Sequence, residues 1–157
     1  MTEYEDWIIS ESDAWLKHIR RINHELVAAD DTLEVIRRLQ EPGGIDYSQP
    51  HVNGSPKGDV MADIIAATDE LMGRWRDRRL ELIREQEDAR AVILRMPTPR
   101  YRVALLLYYV NGRTWDEASD LMGYEPNTVK KWMPMAKMEL HRFLPDGWRT
   151  DVPKSIN

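Results

Sequence analysis

Between Trp15 and Ile36 the apolar residues fall at Trp15, Ile19, Ile22, Leu26, Ala29, Leu33 and Ile36, in alternating steps of four and three. Sustained over about three heptads, this spacing is the seam of a coiled coil and predicts one long helix from about Glu5 to Leu39. Two readings are open. The seam packs inside its own subunit as an amphipathic face, or it closes between two chains and makes a homodimer through the N-terminal helices. Asp30 and Asp31, on or beside the polar side, mark a place where the helix is expected to loosen.

Residues 41–58 read as a flexible linker, because Pro42, Gly43, Gly44, Pro50, Gly54, Pro56 and Gly58 break both helix and strand. Helix resumes with Asp59 as the expected N-cap and runs to about Met96. Val60, Ile64, Ala67, Leu71 and Trp75 mark one face, and Leu82, Ile83, Val92 and Ile93 carry an apolar stripe onward. Two long helices joined by a connector suggest an antiparallel hairpin. Arg74, Arg76, Arg78 and Arg79 read as a solvated face paired with Asp77, Glu81 and Glu85, in preference to a phosphate contact.

After Pro97 and Pro99 the pattern changes. Arg100 to Val110 is a short, mostly apolar helix closed by Asn111-Gly112. Thr114 with Glu117 three residues later forms a capping box, so a second helix runs from Thr114 to about Met122. Gly123 supplies a tight turn at positive φ. Glu125-Pro126 then opens a third helix, with proline where its missing N–H costs nothing. Ser119 is small where two helices must cross, and Ala118, Met122, Val129 and Trp132 are apolar to hold the crossing. This is a helix-turn-helix. Pro134 is expected to kink the third helix or end it near Met133, leaving Met135 to Leu144 as a separate helix. The reading is all-α: residues 1–40 an N-terminal amphipathic helix, 41–58 a linker, 59–96 a second long helix, 97–144 the helix-turn-helix domain and 145–157 a mobile tail.

Charge changes this picture. Net charge is −5 overall, which argues superficially against a nucleic-acid partner. Residues 1–94 hold 12 Lys/Arg against 20 Asp/Glu, whereas residues 95–142 hold 8 against 5. An acidic body with a basic end is compatible with DNA binding through that end. With no cysteine, disulfides, thiolate metal sites and cysteine nucleophiles are excluded, and a reducing cytoplasm fits. No stretch approaches the ~18 apolar residues of a membrane span. The acidic N-terminus does not read as a secretory signal.

The residues Met96-Pro97, Tyr101-Arg102, Val103, Leu106, Tyr108, Asn111-Gly112, Thr114, Glu117, Leu121-Met122-Gly123, Thr128-Val129-Lys130, Ala136 and Leu140 resemble the pattern of sigma-factor region four. The run Tyr108-Tyr109-Val110-Asn111-Gly112-Arg113-Thr114-Trp115 is similar to phage late transcriptional regulators of the ArpU and RinA type. The first resemblance implies a domain that docks on the −35 promoter element. The second implies a phage or prophage transcription activator working in the cytoplasm of a bacterial host, with that host's RNA polymerase as a partner.

A recognition helix presents the side chains of its first turns to base edges in the major groove. Here those are Glu125, Asn127, Thr128, Lys130 and Lys131. Asn127 suits adenine, the lysines suit guanine or phosphate, and Glu125 suits a cytosine amine, with a favourable helix-start charge as its equal alternative. Arg100, Arg102 and Arg113 are candidate phosphate clamps, and Thr114 a candidate to hold phosphate at the second helix's N-terminus. Catalysis is not expected. The histidines His18, His24, His51 and His141 lack zinc-ligand spacing, and no nucleophile elbow, Walker motif or dinucleotide fingerprint is present. No cofactor or metal follows. Two rival readings remain: a small terminase-like DNA-packaging protein, and an adaptor that grips RNA polymerase through the acidic hairpin.

Overall fold

The computed structural model describes residues 2–41 and 57–156; of residues 57–59 only the backbone is described. Most of the linker read at 41–58 therefore lies outside the described residues. Among those described, the chain is all helix and turn. The elements are α1 (Glu3–Gln40), α2 (Lys57–Leu94), α3 (Pro99–Leu105), a π-helical turn (Leu106–Val110), α4 (Trp115–Met122), α5 (Pro126–His141) and two 3₁₀ turns (Asp146–Trp148 and Lys154–Ile156).

The helix α1 begins two residues before Glu5 because Thr2 starts a capping box of its own. The Glu5 amide donates to Thr2 Oγ1 at 3.2 Å, and the Thr2 amide donates to Glu5 Oε2 at 2.9 Å. Glu3, Glu5 and Asp6 in the first turn and Arg37 and Arg38 in the last both suit the helix dipole. Asp30 and Asp31 do not interrupt the helix; Asp30 accepts a 2.5 Å hydrogen bond from Arg79. In α2, Lys57 rather than Asp59 is the first helical residue, so Asp59 is not the N-cap.

Contacts group the chain into two compact units. One is residues 1–24 with 84–157, the other residues 25–83. Each takes a segment of both long helices, a division that blocks read along the chain do not anticipate. The smaller unit is a two-stretch helical hairpin. Arg78 bonds Glu25 at 2.7 Å, Arg79 bonds Asp30 and Gln40 bonds Asp69 at 2.7 Å, a pairing that runs antiparallel. Leu26, Ala29, Ile36, Met72 and Leu82 form its core. Three of the four clustered arginines are paired: Arg74 with Glu70, Arg78 with Glu25 and Glu81, Arg79 with Asp30.

In the larger unit, Trp15, Leu16, Ile19 and Ile22 of α1, Ala89 and Ile93 from the end of α2 and Met96 just beyond it are buried with Leu105, Val110, Val129, Ala136 and Leu140. The heptad seam of α1 is thus buried within the chain in both units; of its seven residues only Leu33 stays half exposed. Ser12 is fully buried and donates its hydroxyl to the Lys137 carbonyl at 2.7 Å.

Two residues of the segment 145–157 contact α1: Trp148 lies 5.1 Å from the His18 ring, and Thr150 donates from both its amide and its hydroxyl to Glu11 Oε2.

Candidate nucleic-acid interface

The interface is assembled from α3, α4 and α5. The C-terminal end of the π-helical turn leaves carbonyls without helical partners, and side chains of the long helices satisfy them. Asn23 and Gln86 both donate to the Val110 carbonyl, at 3.2 and 2.9 Å. Arg20 donates to the Tyr108 carbonyl and, at 3.1 Å, to the Arg113 carbonyl. Sequence periodicity does not reveal the π turn, whose signature is the Asn111 amide reaching back five residues to the Leu106 carbonyl at 2.8 Å. Gly112 follows at φ +70°, where an added Cβ would overlap the Asn23 side chain.

The capping box expected at Thr114 is present with both of its bonds, each 3.1 Å. Gly123 closes α4 at φ +79°. Ser119 is fully buried at the crossing and donates back to the Trp115 carbonyl at 2.6 Å, so its smallness and its hydroxyl both serve the packing. Ala118 and Val129 are buried at the α4–α5 crossing, while Met122 and Trp132 are half buried. Trp115 stacks flat on Tyr108, 3.8 Å between centroids, which ties the start of α4 to the π-helical turn.

Pro134 does not end the recognition helix. α5 runs unbroken from Pro126 to His141. The proline lacks one N–H, but Val129, Met133, Ala136 and Leu140 bury a single stripe on both sides of it. That burial outweighs the roughly 3 kcal/mol proline penalty. At about 100° per residue, the face opposite this stripe carries Asn127, Lys131, Pro134, Met135 and Met138, with Lys130 at one edge. Asn127, Lys130, Lys131 and Met135 are exposed. Neither lysine has an ion-pair partner among the described residues. Thr128 is half buried on the other edge, and Glu125 is the exposed N-cap with no side-chain cap bond. The outward face is therefore longer than its first two turns, and its second half is apolar.

The arginines divide. The Arg100 guanidinium lies over the Trp132 ring at 5.4 Å, which brings it beside the second turn of α5. Trp132 in turn meets Tyr124 edge-on at 4.8 Å. Arg102 is turned inward and donates to the Met96 carbonyl at 2.6 Å. Arg113 is paired with Glu117 at 3.3 Å. Thr114's amide and hydroxyl are both taken by Glu117, whose carboxyl these bonds and Arg113 hold below its ordinary pKa. A phosphate at this helix end would meet that carboxylate, which disfavours Thr114 and Arg113 as clamps and leaves Arg100 with the two lysines. The Arg100–Trp132 contact was not legible in the sequence, because 32 positions separate the two residues.

A protein-family model described as Sigma-70, region 4 matches residues 87–140. The match begins inside α2, so the last turns of that helix belong with the module that the sequence pattern starts at 97. Comparison with curated proteins and with solved structures finds no match. The local geometry of α4 and α5 and this family match agree that the chain carries a sigma-like helix-turn-helix.

Proposed function

We propose that this protein is a transcriptional regulator that binds double-stranded DNA sequence-specifically, seating α5 in the major groove. The observation that carries the reading is the outward face of α5. Asn127, Lys130 and Lys131 stand exposed at the N-terminal end of a helix whose other face is locked into the core. A helix held this way presents amide and ammonium donors to base edges and phosphates without having to order them first. The acidic remainder of the chain repels DNA and limits contact to this end. The resemblance to phage late regulators makes an activator at promoter DNA, with RNA polymerase of the bacterial host as partner, the reading in finer detail. In it the protein acts by binding and not by catalysis.

The test is selection of bound sequences from random duplex DNA, followed by mapping onto the source genome. A single enriched motif upstream of late genes is expected. Absence of enrichment would remove sequence-specific binding. An enriched motif confined to a packaging site, together with ring assembly, would replace the activator with a packaging protein.

A further inference from the structure

The outward face of α5 does not end with its donors. Asn127, Lys131, Met135, Met138 and Arg142 form one row along the helix, each within about 40° of a common line at 100° per residue. No carboxylate stands in this row. Met135 is 56% exposed and Met138 is half buried. A cation stands toward either end. Lys131 is exposed and has no ion-pair partner among the described residues. Arg142, also exposed, lies over the Phe143 ring at 4.6 Å, and the Arg95 guanidinium lies over the same ring at 5.3 Å. Neither arginine has an ion-pair partner among the described residues. The nearest acid along the helix, Glu139, is turned to Thr98, whose hydroxyl donates to it at 2.6 Å.

One exposed methionine is ordinary surface. Two of them, in line with an amide, a lysine and an unpaired arginine, call for an occupant that is apolar in the middle and anionic at its edges. The major groove is such a surface. The thymine C5-methyl is the apolar group on its floor, and phosphates line its walls. Asn127 and Met135 are eight residues apart, a rise of about 12 Å, which spans three to four base-pair steps. Arg142 stands a further seven residues along, about 10 Å beyond Met135, where a straight helix leaves the curved groove beside the backbone. We propose that Met135 and Met138 are specificity-determining residues that pack on thymine methyl groups, while Arg142 meets a phosphate at the exit of the groove. The unbranched thioether side chain adapts its shape to a methyl without offering a donor to a competing base. This inference rests on the seating of α5 in the major groove and adds what the second half of that helix reads.

The probe is the duplex recovered by selection from random DNA, remade with deoxyuridine in place of thymine one position at a time. That exchange removes the methyl and keeps the pairing edge. One or two positions should each lose about fourfold in affinity, the worth of one buried methyl. They should lie three to four base pairs from the position whose preference Asn127→Ala relaxes. Met135→Ala, at an exposed position, should keep the helical circular-dichroism signal and bind the thymine and uracil duplexes alike. Met135→Leu should keep most of the thymine preference. Arg142→Ala should lower the slope of log affinity against log salt by about one and leave the preference unchanged. Equal binding of the thymine and uracil duplexes by the native chain overturns the proposal; the groove assignment then still stands if Asn127→Ala broadens base preference. A methyl effect that survives Met135→Ala and Met138→Ala together also overturns it, because the methyl would then act through DNA shape. A selection without any enriched sequence removes the groove assignment and this inference with it.

Discussion

Two glycines of the helix-turn-helix occupy left-handed backbone, and their surroundings differ. Gly123 at φ +79° has nothing within 4 Å of an added Cβ, so Gly123→Ala meets only the backbone penalty of about 1–2 kcal/mol. Gly112 at φ +70° also faces the Asn23 side chain, which accepts no methyl there without giving up its bond to the Val110 carbonyl. Gly112→Ala should therefore be the more destabilising by urea midpoint; equal losses would show that Asn23 moves aside freely. Thr114→Ala should cost about 1 kcal/mol, the usual worth of an N-cap. On the DNA side, Lys130→Ala or Lys131→Ala should reduce the slope of log affinity against log salt by about one if the lysine meets a phosphate. Asn127→Ala should leave that slope alone and broaden base preference in a gel-shift series. If none of the three changes binding, α5 is not in the groove.

Element boundaries were legible where a side chain closes a terminus on itself. The Thr114–Glu117 box and Gly123 lie within a few residues of the ends they set, and local spacing is enough to find them. Thr2 and Glu5 form the same box, but it precedes the apolar pattern, which by itself predicts a start near Glu5. Pro134 is the opposite case. Local chemistry says stop, and the helix continues because Met133 and Ala136, on either side, are buried against other elements. Pro134→Ala should restore a backbone donor in a half-exposed position and raise stability by up to about 3 kcal/mol, read as a higher urea midpoint. A loss of stability would mean that the pyrrolidine ring itself packs productively.

In the larger unit a polar cluster joins chain segments far apart in sequence. Glu11 accepts from Thr150 and lies 2.8 Å from His141 Nε2, and Asp13 is paired with Lys17 and with Lys137 at 2.7 Å. Burial raises the Glu11 carboxyl's pKa, but the bonds from His141 and Thr150 outweigh this and set it below the ordinary value of 4.5. A depressed folded-state pKa contributes stability that is present above the ordinary value and lost as pH falls through the folded one. Acid unfolding should thus steepen below about pH 4.5. Glu11→Gln should flatten that limb while costing about 1.5–3 kcal/mol at neutral pH, the worth of a hydrogen bond to a charged group. An unchanged acid limb in Glu11→Gln would assign the transition to other carboxylates, Asp13 first.

Helix content, the helix-turn-helix and the candidate groove face of α5 follow from residues close together in the chain: heptad spacing, a capping box, a turn glycine and cations at a helix start. These are short-range effects, and an isolated stretch of sequence already contains them. Two features lay beyond that range. The burial of the α1 seam inside its own chain and the anchoring of the C-terminal segment on Glu11 and His18 depend on which surfaces meet after folding. A charged or apolar side chain looks equally available in a sequence whether or not a partner more than a hundred residues away will cover it. Packing allocates those partners, and it is packing of the opposite face of α5 that leaves Lys130, Lys131 and Asn127 facing outward.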